Sequence, residues 1–449
     1  MSPRYAWTPI LALASLLTTA ACEPSWYDFR IYDQLADETW VETSEAPDGI
    51  GGVSYGTAIA AGGVSDNGAS ILVAAAEPDG FGHLVYDDRG ALDARGIELF
   101  VLNSVADPNL WTDAPAMASD PDSPLVAVGM SNGGQPPTQA TVVLLDSDTA
   151  QPAGTFSLPG PDLIRSLAFG QTNVAGSGAG NVVALRYEQL GIIADASDDG
   201  TSAIHSCSHG LSVPMAVAVG NLDPSDPEDE IVFAAANGAN PSQVFILSGS
   251  TISDAAATVT PPDIAPCFDV GRDALAVLDG PMQETDFGAG IAIADFNGNG
   301  VPDLAIGSTD SGQVYVYRDV DLSGGQLPAN PISVLGTADA IGFGAIVTAG
   351  DVYEQNGEDE LIVAIPDARI DGMDGVGAVH IYDFGQGMFA TPIVLHDSQP
   401  EADQQFGQSV AVVPFGQDRQ ILAVASGDEV YTYFRVHAQD ADPRVGAAE

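Results

Sequence analysis

Lysine is absent from this chain of 449 residues, and all 12 of its basic side chains are arginines. The absence of lysine excludes a Walker phosphate loop and any mechanism that forms a lysine Schiff base. Because 62 acidic residues oppose those 12 arginines, the formal net charge is −50. This charge excludes a surface that attracts nucleic-acid phosphates, and it favours cation binding instead.

Long apolar segments are also missing, since no segment offers the roughly twenty uninterrupted apolar residues of a membrane-spanning helix. A short apolar run over 10–17 follows one early cation, which is the pattern of a secretory signal over 1–21. The small residues that end at Cys22 resemble a bacterial lipoprotein cleavage site. This resemblance implies a lipid on Cys22, a tether over 22–38, and an outer-membrane or cell-surface location. An ordinary signal peptide cut near Cys22 is the alternative.

Only two cysteines follow Cys22 in the sequence. In an oxidising compartment pairing of thiols is favoured, so we expect a disulfide between Cys207 and Cys267. A metal site is the alternative, because His205, Cys207 and His209 alternate in the segment HSCSH. An extended strand would place these three on one face without a fourth ligand.

Internal repeats carry most of the information. The segment 287–317 reads FGAGIAIADFNGNGVPDLAIGSTDSGQVYVY, with three short β-rich runs separated by Gly, Asn and Asp turns. The turns are too short for helices, so the segment predicts three consecutive antiparallel strands. The pattern recurs along the chain, clearly in four copies and more loosely in three. The seven copies begin at Tyr55, Pro115, Ile164, Pro214, Phe287, Phe343 and Phe406.

The spacing of the copies, about 54 residues, is typical of propeller blades. It predicts an all-β, seven-bladed β-propeller of four-stranded antiparallel blades over 39–436. The last copy lacks a fourth apolar run, whereas a similar run at 40–42 precedes the first copy. We expect this N-terminal strand to pair beside 429–433 and close the ring, because closure removes exposed sheet edges. The polar tail, 437–449, is expected to be disordered.

The repeats resemble the FG-GAP repeats of the integrin α-subunit propeller and its bacterial relatives. The pair Phe287-Gly288, the loop DFNGNGVPDL and the strand GQVYVY carry the resemblance most clearly, and the Phe-Gly pairs that begin at Phe343 and Phe406 match in part. The resemblance implies a non-catalytic propeller that binds a protein or polysaccharide partner in adhesion or envelope assembly.

One loop of the repeat has the donor pattern of a calcium site. Oxygen-bearing side chains occupy its positions 1, 3, 5 and 9, and a backbone carbonyl would serve position 7. Hard oxygen donors at alternating positions suit calcium better than zinc or copper. An Asn-Gly hairpin without metal is the alternative, although turn chemistry does not require the second carboxylate. The candidate ligands are Asp295, Asn297, Asn299, the carbonyl of Val301, and Asp303.

Two other copies have a related acidic loop that is one residue longer. The alternative for each is a solvated acidic hairpin, and the corresponding loops of the first and last copies lack spaced carboxylates altogether. The candidate ligands are Asn221, Asp223, Ser225 and Glu230 in one copy, and Asp351, the carbonyl of Tyr353, Gln355 and Glu360 in the other.

The expected role of calcium is structural. Carboxylates crowded into one loop repel each other, and a divalent cation offsets that repulsion while it fixes the hairpin. No recognised catalytic spacing involves the six histidines. The sequence therefore favours a calcium-stabilised surface lipoprotein that is not an enzyme. A hydrolase or lyase with an acidic cleft at the propeller centre is the alternative.

Overall fold

Most of the residues that the computed structural model describes lie in β-strands. The described residues are 40–45, 55–62, 68–75, 80–87, 92–98, 116–119, 124–131, 140–149, 151–158, 163–172, 180–187, 189–194, 203–223, 227–238, 240–248, 270–280, 284–322, 327, 331–336, 340–353, 356–385, 387–397, 399–415, 419–427 and 429–436.

The first strand, β1 (Trp40–Glu45), precedes three sheets of four strands each. Sheet I contains β2 (Tyr55–Ala61), β3 (Gly68–Ala75), β4 (Gly80–Asp87) and β5 (Leu92–Glu98). Sheet II contains β6 (Ala116–Ser119), β7 (Leu125–Ser131), β8 (Ala140–Asp146) and β9 (Gln151–Leu158). Sheet III contains β10 (Ile164–Gly170), β11 (Asn181–Arg186), β12 (Gln189–Ala194) and β13 (Ala203–Ser208).

Four further sheets follow. Sheet IV contains β14 (Val213–Gly220), β15 (Glu230–Ala236), β16 (Gln243–Ser248) and β17 (Ala276–Asp279). Sheet V contains β18 (Ile291–Ala294), β19 (Asp303–Ser308), β20 (Gln313–Tyr317) and β21 (Ile332–Leu335). Sheet VI contains β22 (Ile346–Gly350), β23 (Glu360–Ile365), β24 (Ala378–Tyr382) and β27 (Ile393–Leu395), with a ribbon of β25 (Phe384–Gly385) and β26 (Met388–Phe389). Sheet VII contains β28 (Val410–Phe415), β29 (Arg419–Ser426), β30 (Glu429–Arg435) and β1.

All strand pairs within these sheets are antiparallel, and in sheets I to VI the pairing follows chain order. In sheet VII the N-terminal β1 lies beside the C-terminal β30, with Val41 opposite Tyr433 and Glu42 opposite Thr432. The pairing of 40–42 beside 429–433 expected from the sequence is therefore present. The all-β propeller architecture predicted from the repeats is confirmed.

The first strands of neighbouring sheets contact one another in a cycle. β2 contacts β6, β6 contacts β10, and the series continues through β14, β18, β22 and β28 before returning to β2. The core lies between the sheets, since alternate residues of one strand face opposite neighbours. Leu304 and Ile306 of β19 pack in a cluster with sheet IV, whereas Ala305 packs in a cluster with sheet VI. Burial on both faces explains why these strands read as continuous apolar runs.

The Phe-Gly pairs fix the entry to the three clearest copies. Phe287, Phe343 and Phe406 are all fully buried. The glycine that follows Phe287, Gly288, has a φ of 96°, in a region that side chains with a Cβ rarely adopt. A Cβ on Gly288 would lie 2.2 Å from the Cβ of Ala234, so close approach also requires glycine there.

Helix is limited to one turn among the described residues, α1 (Val270–Asp273). No helix in the described part of the chain is long and apolar enough to span a bilayer. The signal over 1–21, the tether over 22–38 and the tail over 437–449 lie outside the described residues, as does Cys22.

Candidate metal centre

The loop between β18 and β19 of sheet V wraps around the carboxylate of Asp295. Its Oδ1 accepts the backbone N–H of Asn299 at 3.1 Å, and its Oδ2 accepts that of Gly300 at 2.6 Å. Gly300 has a φ of 79°, which is why glycine suits this turn. The loop-opening aspartate therefore organises the turn before any ligand is considered.

The aspartate at the other end of the loop turns back into it. Asp303 is fully buried. Its Oδ2 accepts the N–H of Phe296 at 3.0 Å, and its Oδ1 accepts the N–H of Asp319 at 2.7 Å. Asp303 thus braces the loop of sheet V against the connection that follows β20. A buried carboxylate that served turn formation alone would be costly, because desolvation of its charge is only partly offset by two hydrogen bonds.

Several negative charges lie close together in this loop. Burial raises the pKa of Asp303 to about 6; the two backbone N–H bonds lower it, and the charges of Asp319 and Asp295 raise it again. The carboxylates of Asp295 and Asp319 are therefore each near enough to that of Asp303 to repel it. A cation among them would offset that repulsion.

The two asparagines of the loop also point toward this group of charges. Asn299 Oδ1 accepts the N–H of Val301 at 2.7 Å, and Asn297 Oδ1 accepts the N–H of Asn299 at 3.2 Å. Their Nδ2 groups both donate to Asp319 Oδ1. Asp319 is not among the ligands predicted from the sequence, and its φ of 52° is unusual for a residue other than glycine. The available signal was an acidic residue two positions after the third strand of the repeat.

The donor set of this loop fits calcium. It comprises two carboxylates from Asp295 and Asp303, two amide oxygens from Asn297 and Asn299, and the carbonyl of Val301, all of them hard oxygens. Within the described residues, no three His, Cys, Asp or Glu side chains form a metal-binding group by themselves. A bound calcium would thus depend on the amide and carbonyl oxygens as well as on the acids.

The loop between β22 and β23 of sheet VI repeats the arrangement. Asp351 Oδ1 accepts the N–H of Asn356 at 3.2 Å, and its Oδ2 accepts that of Gly357 at 2.7 Å. Glu360 is 1% exposed, and its Oε2 accepts the N–H groups of Val352 and Tyr353, each at 2.8 Å. Asp351 and Glu360 therefore take the places of Asp295 and Asp303.

Glu360 is more strongly perturbed than Asp303. Burial raises its pKa to about 8; the N–H bonds from Tyr353 and Val352 lower it, and the charges of Asp351 and Asp383 raise it. The structure therefore brings Asp351, Tyr353 and Glu360 together. Gln355, the remaining candidate of this loop, lies outside the described residues.

The loop between β14 and β15 of sheet IV also ends in a buried acidic residue, as do the loops of sheets V and VI. Glu230 is 2% exposed, and its Oε2 accepts the N–H of Leu222 at 2.6 Å. Asn221 and Asp223 flank Leu222, so three of the four candidates lie at the same end of sheet IV. Ser225 lies outside the described residues.

A second role for the acidic loops is a contact between sheets. Asp359 Oδ2 accepts the N–H of Asp295 at 3.2 Å, and the N–H of Asp359 donates to the carbonyl of Asp295 at 3.2 Å. Asp229 makes the same pair of bonds with Gln171 of the preceding sheet, at 2.6 and 3.1 Å. Gln420 Oε1 accepts the N–H of Asp351 at 2.9 Å. Asp229 and Asp359 directly precede the second strands of their sheets, and Gln420 is the second residue of β29. All three residues link neighbouring sheets.

The alternative metal site in HSCSH is not supported by the position of His209. Its Nε2 lies 3.2 Å from the carbonyl of Arg186, and its Nδ1 accepts the N–H of Leu211 at 3.2 Å. Both ring nitrogens are therefore engaged by the protein, and burial lowers the pKa of His209 to about 4.

Cys207 lies on β13 opposite Leu190. Cys267 lies outside the described residues, so the disulfide stays a prediction.

Comparison with known proteins agrees with this architecture. Residues 287–317 match the family model of the FG-GAP repeat. The chain is 29% identical over 180 residues to phosphatidylinositol-glycan-specific phospholipase D of Rattus norvegicus, which is 36% of this chain and 20% of the relative. It is 28% identical over 144 residues to integrin alpha-6 of Gallus gallus, which is 30% of this chain and 13% of the relative.

A solved structure of similar shape is BBS1N in complex with ARL6DN. The TM-score is 0.52 at 13% identity, and the match covers 89% of this chain and 98% of that chain. The matched segments span a fifth or less of the two curated relatives. The resemblance to FG-GAP repeats and to integrin α propellers is confirmed, and it supports a binding or scaffold role.

Proposed function

We propose that this protein is a calcium-stabilised, non-catalytic propeller that binds a protein or polysaccharide partner at the cell envelope. The calcium part of the proposal rests on the loop of sheet V. There the carboxylates of Asp295 and Asp319 lie near enough to that of the buried Asp303 to repel it. The FG-GAP match over the same segment supports this reading. Calcium would supply positive charge that neutralises the loop; it takes no part in a reaction.

The proposal extends to the location of the protein. Lipidation of Cys22 would hold the propeller at a membrane surface and leave its loops free to meet a partner. A Cys22→Ser variant is expected to lose the lipid and to move from the membrane fraction to the soluble fraction. Membrane association that is unchanged in this variant would contradict the anchor without affecting the calcium proposal.

Thermal melting with and without chelator tests the calcium proposal. We expect chelation to lower the melting temperature of the purified chain, because the repulsion among the loop carboxylates is then no longer offset. Asp295→Ala should remove most of this difference. Asp418→Ala, which removes an acid from the segment between β28 and β29 of sheet VII, is the matched control and should keep it. Equal melting of the unaltered chain in calcium and in chelator would contradict the proposal.

A further inference from the structure

A large acidic cavity lies at the opposite end of sheet VII from its first loop. Its volume is about 720 Å³, in the range of sites for small organic molecules rather than for a bare ion. It opens between the segment after β27 and the hairpin that joins β29 to β30. No basic side chain is among the described residues that line it. The lining includes the acids Asp397, Glu401, Asp403 and Glu429, together with Ser426 and Tyr431.

The outer wall of the cavity is held by sheet VI. The N–H of Asp403 donates to the carbonyl of Asp374 at 3.1 Å, and the N–H of Gln405 donates to the carbonyl of Gly375 at 2.8 Å. These bonds hold Asp403 and Gln405 at positive φ values of 60° and 57°. The wall is therefore fixed by backbone contacts, and Asp403 remains exposed beside the opening.

Within the cavity lining, one hydroxyl lies within hydrogen-bond distance of two carboxylates. The Tyr431 hydroxyl lies 2.7 Å from Asp397 Oδ2 and 2.8 Å from Glu429 Oε2. It has a single proton and can donate to only one of them. Gln404 Nε2 also donates a hydrogen bond to Asp397 Oδ2, so Asp397 has one more side-chain donor than Glu429. Glu429 is left with capacity to accept a further donor.

Ser426 provides an independent indication of a ligand. It is 2% exposed, and its hydroxyl has no hydrogen-bond partner. Ser426 lies directly opposite Glu429 in the strand ladder, and Val424 lies opposite Tyr431. Directly opposed residues point to the same face of a sheet, and so do residues two apart on one strand. The Ser426 side chain is therefore directed to the face where Glu429 and Tyr431 line the cavity.

Comparison with sheet V explains why this hydroxyl is unpaired. At the corresponding place, Ser308 donates to Asp286 at 2.9 Å, and Asp286 is the residue before Phe287. In sheet VII the residue before Phe406 is Gln405, so the carboxylate partner is missing. A buried hydroxyl without a partner is unfavourable, and a ligand group in the cavity would offset that cost.

We propose that this cavity binds a small organic cation that carries two or more ammonium groups, a diamine or polyamine. Its N–H groups would donate to Glu429, Asp397 and the Ser426 hydroxyl, while a second ammonium group would lie near Asp403 and Glu401. No cation is among the described residues that line the cavity, which favours a positive ligand, and Tyr431 uses its hydroxyl within the wall. The site does not depend on the calcium proposal, because it lies at the other end of the strands.

Binding of spermidine to the full chain, measured by isothermal titration at physiological ionic strength, tests this proposal. We expect saturable binding at one site. Glu429→Gln should weaken it at least tenfold, Ser426→Ala about threefold, and Asp403→Asn severalfold. Asp403 is exposed, so its substitution leaves the fold intact even where the other variants perturb it. Asp148→Asn removes one exposed charge from sheet II, far from the cavity, and is expected to leave the affinity unchanged.

Several results would overturn the proposal. These are no saturable binding of spermidine, an equal loss of affinity in Asp148→Asn and in Glu429→Gln, or displacement of spermidine by calcium at equimolar concentration. Tighter binding of an uncharged trisaccharide than of spermidine would assign the cavity to carbohydrate instead.

Discussion

Sheets V and VII are built on the same repeat, but they differ at one buried position of the second strand. Asp303 lies opposite Ala294 in sheet V, and Ile421 lies opposite Val413 at the corresponding place in sheet VII. Both side chains are fully buried. An aliphatic side chain fills this place without a partner, whereas a carboxylate must be compensated by hydrogen bonds or by a cation. The fold itself does not require the acid, so its presence points to a local function.

The largest expected effect is a difference in the free energy of unfolding between substitutions at these two positions. Asp303→Ala should lower the free energy of unfolding by about 4 kcal/mol, because it leaves the buried N–H groups of Phe296 and Asp319 without an acceptor and opens a cavity. Ile421→Val should lower it by only about 1 kcal/mol. Urea denaturation followed by circular dichroism measures both. Losses of equal size would mean that Asp303 fills space and does not brace the loop.

The second expected effect is on the pH dependence of stability in chelator. The pKa of Glu360 is about 8 in the folded protein and 4.5 ordinarily. Between these values the folded state holds more protons than the unfolded state. The free energy of unfolding should therefore fall as pH rises from about 4.5 to about 8, by roughly 4 kcal/mol.

Glu360→Gln should flatten this slope, because the amide does not titrate. Denaturation midpoints at pH 5, 6, 7 and 8 in chelator measure it, and added calcium should reduce the slope of the unaltered chain by favouring the ionised form. An unchanged slope in Glu360→Gln would assign the pH dependence to other groups.

The smallest expected effect concerns the links between sheets. Asp359→Ala removes the acceptor for the N–H of Asp295 and should lower the free energy of unfolding by about 1 kcal/mol. Gln420→Ala removes the same kind of bond to Asp351, and its cost should be similar. A cost for Asp359→Ala several times that for Gln420→Ala would show that Asp359 also acts in the acidic loop.

The sequence was sufficient to predict the strands and to locate the acidic residues in the loops, because both follow short-range rules. Alternating apolar runs and Gly-Asn turns predicted β18 to β20, and the terminal pairing of β1 with β30 followed from the missing fourth run of the last copy. The position of Asp319 could not be predicted, since its contact with the loop depends on a left-handed backbone conformation after β20. Nor could the sequence reveal that Asp303, Glu360 and Glu230 accept N–H groups from their own loops.

The cavity beside Tyr431 also escaped the sequence analysis, for a physical reason. Its walls come from segments of sheets VI and VII that are distant in sequence, and acidic residues are too abundant in this chain for their presence to signal a site. The difference between Gln405 and Asp286 was visible in the aligned repeats. Its consequence for Ser426 required the register of the strands.

Calcium titration of the chelator-stripped chain tests the central claim most directly, namely that the acidic loop of sheet V is a cation site and the loop of sheet VII is not. Isothermal titration of the unaltered chain, of Asp295→Ala and of Asp418→Ala, which removes an acid between β28 and β29, counts the saturable sites in each. We expect Asp295→Ala to bind one calcium fewer than the unaltered chain, and Asp418→Ala to bind the same number. The same number of calcium ions bound by all three proteins would contradict it.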